Sequence, residues 1–397
     1  MQVLFLVSRY YYEQKMSRCR FHQMAAVGRC EGVHLTVWGA GFPHYREAEP
    51  LYENITREFG ANAFDLIHVY KPGEHRAVAA CPLPKSIDYN EAWNRKAIFQ
   101  EVVQNDIRLI VFHHANDFEA LQRRPRLSRG RWLVHIPHCA ERSIFEPAVR
   151  PWSERTVPVL LTGSLGAKFY PLRTRCAELI RIGQLPGDIR PHPGYRTADV
   201  EQTRDQFVDY AQHLGRTRIA LVLGITFDYA LAKYPEAAMA GCLLIGDVPR
   251  ELHNTLGRYM VQIEPDMPDA QIVKEVQWWV DHDDEAQELA ASSQKLALSQ
   301  FTMERYAAQF VRIARGFLEQ ERQRQRVIGA IRREGRLRWA VRTWLGEPFH
   351  VPIGSADRGG NAFMSDGGVS DIMPDSVASR SASQIVAQSP ERWRAGE

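Results

Sequence analysis

Short apolar runs alternate with longer helical or irregular stretches along the first 150 residues. This spacing predicts strands that alternate with helices, which is typical of a parallel sheet. Two of the runs, in FDLIHVYKP and IRLIVFHHANDF, are continuous rather than alternating, as expected for strands that are covered on both faces. The predicted strands cover residues 3–7, 35–38, 66–70, 109–112 and 132–136.

A second series of strands and helices follows a proline-containing turn near residue 150. Its predicted strands cover residues 157–162, 219–223, 242–245 and 260–263, with helical segments between them. We therefore expect two α/β halves, each with a parallel sheet, and a long terminal helix that packs on them. That helix is predicted because four apolar residues spaced i, i+4, i+7 and i+11 share one face: Tyr306, Phe310, Ile313 and Phe317.

The length of 397 residues fits two domains with extensions. We expect a first domain over 1–150 and a second over 151–320 that includes the closing helix. A basic amphipathic helical extension is expected over 321–350, and a disordered tail over 351–397. The tail is predicted because Gly, Ser, Asp and Pro prevail there and large apolar residues are few.

Charge is distributed unevenly along the chain. The net charge of +3 argues against a surface built as a whole for nucleic acid, so no nucleic-acid partner is expected. Between residues 312 and 342, however, there are ten arginines and three glutamates. Docking of this stretch on anionic lipid and docking on nucleic acid are both conceivable functions. Together with Trp339, Trp344 and Leu345 the arginines favour docking of 312–345 on an anionic membrane surface, with a solvated helix face as the alternative.

Cysteine usage and the N-terminal segment bear on location. Six scattered cysteines without a C-x-x-C pair indicate thiols in a reducing compartment. The segment MQVLFLVSRYYYEQK lacks the basic region and cleavage site of a signal peptide, and no window approaches the ~18 apolar residues of a spanning helix. We expect a cytoplasmic protein that is soluble or peripheral at the inner face of the membrane.

The segment LAKYPEAAMAGCLLIGD, residues 231–247, carries the clearest chemical signal. A helix is expected to begin near Pro235, whose fixed φ suits a first turn. Glu236 then lies where the helix dipole favours a carboxylate, and it can accept hydrogen bonds from the hydroxyls of a ligand. Asp228 precedes Glu236 by eight positions.

This segment resembles the E-x7-E region of nucleotide-sugar glycosyltransferases of the GT-B fold, group 1 or family 4-like, in which E-A-M-A-x-G carries the second Glu. Asp228 stands in place of the first Glu, and Glu236 matches the second. In the spore-protein glycosyltransferase-like branch, a basic residue and an aromatic residue precede this helix, and Lys233 and Tyr234 resemble that pattern. The resemblance implies two Rossmann-like domains that face a cleft and a metal-independent hexosyl transfer in surface polysaccharide or glycoconjugate synthesis.

Two further segments support the resemblance. HIPHCAERSIFEP, residues 135–147, is similar in spacing to the interdomain signature P-x-G-V-D-x-x-x-F-x-P. VPVLLTGSLGAKFYPLR, residues 157–173, predicts a strand, a glycine turn and a helix start, where free N–H groups form an anion site. The resemblance then assigns donor binding to the second half, at Gly163, Lys168, Arg173, Tyr195, Asp228, Lys233 and Glu236. In this assignment the glycine turn and its cations contact the diphosphate, Glu236 contacts the ribose, and Tyr195 lines the base pocket.

The first half is expected to bind the acceptor. His113, His114 and Asp117 follow the strand at 109–112, where the carboxyl end of a parallel strand meets a ligand crevice. His114 or Asp117 would aid proton removal or positioning, and together with Glu236 they are the predicted catalytic residues. The alternative for each histidine is a buried ring that is hydrogen-bonded to the backbone.

No metal ligand set and no cofactor are predicted, because no H-x-x-x-H, H-E-x-x-H or D-x-D arrangement of suitable geometry occurs. A nucleoside diphosphate sugar would serve as co-substrate, and stabilisation of the leaving diphosphate would drive the reaction. Two alternatives share the fold. One is a non-hydrolysing sugar-nucleotide epimerase, and the other is a non-catalytic binding or scaffold protein, which Asp228 and the altered interdomain segment would favour.

Overall fold

The computed structural model describes residues 1–15, 18–192 and 200–333. Two parallel sheets form within these ranges, one in each half of the chain. The first half contributes β1 (Gln2–Leu6), β2 (His34–Trp38), β3 (Leu66–Val69), β4 (Lys85–Tyr89), β5 (Leu109–Phe112) and β6 (Trp132–His135). The second contributes β7 (Val157–Gly163), β8 (Asp188–Pro191), β9 (Thr217–Leu221), β10 (Leu243–Gly246) and β11 (Met260–Gln262).

Helices connect the strands and cover the sheets. In the first half they are α1 (Arg18–Gly28), α2 (Leu51–Phe59), α3 (Arg95–Gln104), α4 (Ala115–Gln122), α5 (Pro125–Ser128) and α6 (Arg142–Phe145). In the second they are α7 (Pro171–Arg181), α8 (Val200–Gly215), α9 (Lys233–Met239), α10 (Asp269–Asp281), α11 (Asp283–Gln300) and α12 (Met303–Arg333). None of the helices in the described part of the chain is both long and apolar enough to cross a membrane.

Both sheets follow the same doubly wound plan. The first has the order β2-β1-β3-β4-β5-β6, and the second has the order β11-β10-β9-β7-β8. In each sheet the direction of winding reverses between two neighbouring strands, β1 and β3 in the first and β7 and β9 in the second. Ligands of open α/β sheets bind at the carboxyl ends of the strands beside such a switch point.

Helix α12 joins the second half to the first. The chain crosses back where Ala140 N donates to Phe301 O (2.7 Å) and Met303 N donates to Ala140 O (3.1 Å). Tyr306, Phe310 and Phe317 of α12 are then buried in the same apolar cluster as strand β1. The helix that the sequence pattern attaches to the second domain therefore packs on the first sheet.

The structure contains two strands that the sequence pattern did not predict, β4 and β8, and it shifts the ends of most others by one or two residues. Strand β4 was missed because its buried residues include Lys85, Ser86 and Asp88, which break the apolar pattern. Strand β8 is a short edge strand with polar residues. Of the predicted basic extension, residues 321–333 continue α12; residues 334–350 and the predicted tail lie outside the described residues.

Candidate donor site and the contact between the halves

Strand β7 ends at the switch point of the second sheet with Gly163, whose φ is +108°. A Cβ at this position would lie 2.7 Å from Lys233 Nζ and 3.0 Å from Arg173 Nη1. Lys233 Nζ also donates a hydrogen bond of 2.6 Å to Thr162 O. Glycine therefore serves two purposes here, since it adopts a φ that other residues avoid and lets two cations approach the backbone.

Arg173 reaches this point from the first turn of α7, which begins at Pro171. Its guanidinium lies over the Tyr170 ring at 4.1 Å, and Nη1 donates to Ser164 O at 3.0 Å while Nη2 donates to Leu223 O. The side chain thus ties the turn after β7 to the end of β9. Burial lowers the pKa of Arg173.

Lys233 and Glu236 lie one turn apart on α9, so both side chains project on the same face. Burial, followed by repulsion from Arg173, lowers the pKa of Lys233 well below its ordinary value. Burial raises the pKa of Glu236 to about 7, against the opposing effects of Lys233 and of a hydrogen bond with Tyr210. Two cations and one carboxyl group of variable charge therefore share a poorly solvated place at the switch point.

Two other predicted donor residues, Lys168 and Asp228, have different contacts. Lys168 is exposed, with Nζ 5.3 Å above the ring of Phe169. Asp228 has a φ of +56°, and its Oδ1 accepts a hydrogen bond of 3.2 Å from Arg250 N. Tyr195 lies outside the described residues. Four of the predicted donor residues therefore come together: Gly163, Arg173, Lys233 and Glu236.

Asp247 is a residue of this region that the sequence analysis missed. It follows β10, and its Oδ1 accepts a hydrogen bond of 2.7 Å from Gly224 N. Tyr234 OH donates to the carbonyl oxygen of Asp247 at 2.9 Å. A Cβ on Gly224 would lie 2.8 Å from Asp247 Oδ2. Asp247 thus fixes the turn that follows β9, and its position directly after an apolar strand was the signal that could have identified it.

His114, the predicted base of the first half, is buried where the two halves touch. Its ring stacks on Tyr229 of the second half, with centroids 4.0 Å apart and planes inclined by 2°. Asp117 is buried beside it, and its Oδ2 accepts a hydrogen bond of 2.8 Å from Ala92 N. Both residues therefore lie next to the loop that carries Phe227 and Tyr229.

His113 belongs to a separate buried network. Its Nδ1 lies 2.9 Å from Ile136 O, and its Nε2 lies 3.2 Å from Asp88 Oδ2. Asp88 also pairs with Arg20 and lies 3.1 Å from His68 Nε2. Burial lowers the pKa of His113 to about 3, so this ring is neutral. Its contacts with Ile136 and Asp88 give it a structural role.

In the described ranges, no group of three or more His, Cys, Asp or Glu side chains is placed to hold a metal ion. The six cysteines are unpaired, and all but Cys30 are buried.

Two Rossmann-like halves of this topology, joined by a helix that returns to the first half, give the chain the GT-B fold of glycosyltransferases. No protein-family model and no curated protein matches the sequence. Sucrose-phosphate synthase from Thermosynechococcus elongatus is similar in structure, with a TM-score of 0.56 and 12% identity over 80% of this chain and 99% of that one.

Two other solved structures are similar at the level of the fold. HepE from Anabaena, solved in complex with UDP-glucose, has a TM-score of 0.53 and 10% identity, and the match covers 80% of this chain and 100% of that one. An α-glucosyltransferase in complex with UDP and DNA has a TM-score of 0.53 and 7% identity, with 79% of this chain and 99% of that one covered.

Proposed function

We propose that the protein is a glycosyltransferase that moves a sugar from a nucleoside diphosphate sugar to an acceptor hydroxyl. The observation that carries the proposal is the convergence of Arg173 and Lys233 on Gly163, at the switch point of the second sheet. The GT-B fold supports it, as do the complexes of two structural neighbours with UDP-glucose and with UDP. The sequence resemblance to the spore-protein glycosyltransferase-like branch supports the same class of reaction.

In this proposal the second half binds the donor and stabilises the leaving diphosphate. Negative charge on that group grows as the bond to the sugar breaks, so fixed cations bind the transition state more strongly than the substrate. Arg173 would place a fixed positive charge beside the diphosphate, and Lys233 would act as a point charge. Glu236 would accept a hydrogen bond from the ribose. Because two cations supply the charge, we expect the reaction to need no metal ion.

We assign the acceptor to the first half. His114 would act as the base or Asp117 as a positioning group, because both lie against the loop with Phe227 and Tyr229 that borders the donor half. His114 is the better candidate for proton transfer, since an imidazole can accept a proton at one ring nitrogen and donate one from the other. Asp117 already accepts a hydrogen bond from the backbone N–H of Ala92, which suits it to holding the loop that contains Ala92.

The test is a thermal-shift screen of the purified protein with nucleoside diphosphates and their sugars. We expect one nucleotide sugar to raise the melting temperature, and Glu236→Ala to weaken both this shift and turnover. Glu178→Ala, on the exposed face of α7, is the control and should behave as wild type. Unchanged donor affinity and turnover in Glu236→Ala would contradict the site. Epimerised sugar without transfer or hydrolysis would instead indicate the epimerase, and the lack of any shift would indicate a binding or scaffold protein.

Docking on an anionic membrane surface is a second part of the proposal. The apolar face of α12 packs on the first sheet, and its arginines 312, 315, 322, 324 and 326 are exposed. Membrane docking would bring the acceptor half close to a lipid-linked acceptor. Co-sedimentation with vesicles of anionic and of zwitterionic lipid tests it. We expect binding to the anionic vesicles only, and absence of binding to both would contradict the docking.

A further inference from the structure

Glu251 belongs to the second half but is buried against the first. It lies in a short 3₁₀ turn, Arg250–Leu252, and its side chain is only 7% exposed. Its Oε2 accepts a hydrogen bond of 2.9 Å from Ala115 N, the first residue of α4. A carboxylate at the N-terminus of a helix is stabilised by the unpaired N–H groups and by the helix dipole.

Two histidines of the first half surround the same carboxylate. His135 Nε2 lies 3.0 Å from Oε2, and His114 Nδ1 lies 3.5 Å from Oε1. Burial opposes ionisation of Glu251, but the contacts with His114 and His135 prevail and lower its pKa to about 2. Glu251 is therefore a carboxylate at any physiological pH.

The same carboxylate also holds the loop of its own half. Oε1 accepts a hydrogen bond of 3.1 Å from Ala230 N, which directly follows Tyr229. The ring of Tyr229 stacks face to face on the imidazole of His114. One carboxylate thus lies within ion-pair distance of the His114 imidazole and holds, by a hydrogen bond, the loop that presents the ring packed against it.

We propose that Glu251 is a positioning residue for His114, which it holds in one orientation relative to the donor half. The inference rests on the proposed function, because it assigns to His114 the role of base. Misplacing a reacting group by about 1 Å can cost on the order of 100-fold in rate, so an anchor of this kind acts on turnover rather than on donor affinity.

A neighbouring contact provides the matched control. Arg250 Nη2 pairs with Glu119 Oε2 at 2.9 Å, and this pair also joins the two halves. Both side chains are exposed, and neither is among the contacts of His114. Glu119→Gln therefore weakens the contact between the halves without removing the anchor.

The experiment measures donor hydrolysis by the full-length protein with UDP-glucose, or with the nucleotide sugar that gives the largest thermal shift. Glu251→Gln removes the charge and leaves one oxygen, which can accept from Ala115 N or from Ala230 N but not from both. We expect kcat to fall about 10- to 100-fold while KM for the donor stays within about 2-fold. Glu119→Gln should retain wild-type kcat. In a His114→Gln background, Glu251→Gln should lower kcat no further, because the group that it positions is absent.

Different outcomes separate the two proposals. Wild-type kcat in Glu251→Gln would overturn the positioning role alone, as would an equal loss in Glu119→Gln or an additive loss in the double variant. A rise in KM without a fall in kcat would also overturn it, because Glu251 would then act on the donor loop. If the wild-type protein neither binds nor hydrolyses any nucleotide sugar, the proposed function fails and the positioning role fails with it.

Discussion

Replacing Gly163 with alanine tests whether the turn after β7 is built for an anion. The substitution adds one methyl group at a φ of +108°, a region that side chains with a Cβ avoid. The new Cβ would lie 2.7 Å from Lys233 Nζ and 3.0 Å from Arg173 Nη1. At least one of the two cations must therefore move, and the backbone must change conformation or remain strained.

The substitution should lower the free energy of unfolding in two ways and should also weaken nucleotide binding. Backbone strain of this kind costs about 1–3 kcal/mol. Displacing Lys233 from Thr162 O leaves a partly buried donor or acceptor without its partner, which destabilises the fold by up to about 3 kcal/mol more. Loss of one charge-assisted contact with a diphosphate is worth about 1.5–3 kcal/mol, so the Kd of a nucleoside diphosphate should rise roughly 10- to 100-fold.

The assay combines urea unfolding with calorimetric titration of a nucleoside diphosphate. Gly166→Ala is the control in the same turn, because its Cβ would meet no atom within 4 Å and its φ is not positive. That variant should change the unfolding free energy by no more than about 0.5 kcal/mol. Wild-type stability and nucleotide affinity in Gly163→Ala would refute the argument, as would equal losses in both variants.

Three other predictions concern buried charge. The pKa of Glu236 is about 7 in the folded protein, above the ordinary value near 4.5. The contribution of this carboxyl group to the free energy of unfolding is therefore complete below pH 4.5 and is lost as the pH rises through 7. Between about pH 4 and 8 the unfolding free energy of the wild type should therefore fall by about 3 kcal/mol relative to Glu236→Gln, measured with urea, and parallel curves would contradict this. Asp88→Ala leaves Arg20 as an uncompensated buried charge and should lower the free energy of unfolding in urea by about 3–5 kcal/mol. The control, Glu13→Ala, breaks the exposed pair with Arg9 and should leave the urea midpoint unchanged. Arg173→Met should weaken nucleoside diphosphate binding at least ten times more than Lys168→Met does in the same titration, because the Lys168 ammonium is exposed. Equal losses of affinity in the two variants would contradict this difference between the two cations.

The sequence predicted most of the fold because both halves repeat the same apolar strand pattern. Strand β5, residues Leu109–Phe112, is a continuous apolar run, and its predicted bounds agree with the structure. Strand β4 could not be predicted in this way, because Lys85 and Asp88 are buried within it. Their partners make this burial possible: Asp88 pairs with Arg20, and Lys85 Nζ donates to Cys81 O at 2.6 Å. Such pairs form only once the sheet is assembled.

Spacing along the chain predicted site residues that share one turn or one helix, but not those that meet through the fold. Lys233 and Glu236 lie on α9, and their proximity follows from helical periodicity. Lys168 and Arg173 have similar charge and are five positions apart, yet one is exposed and the other buried. Glu251 had no local signal, because Ala115 and His135 are more than a hundred positions away.

The substitution of Asp228 for the usual first Glu bears on how the donor would be held. Asp228 accepts the N–H of Arg250, and Glu251 accepts the N–H of Ala230, so the two carboxylates hold their loops together reciprocally. A shorter side chain at 228, with a φ of +56°, suits this local role. The carboxylate at 228, which the resemblance places in the donor site, thus has a partner within the protein. In our proposal, donor recognition therefore depends on Arg173, Lys233 and Glu236, and variants of these three residues should impair donor binding more than variants of Asp228.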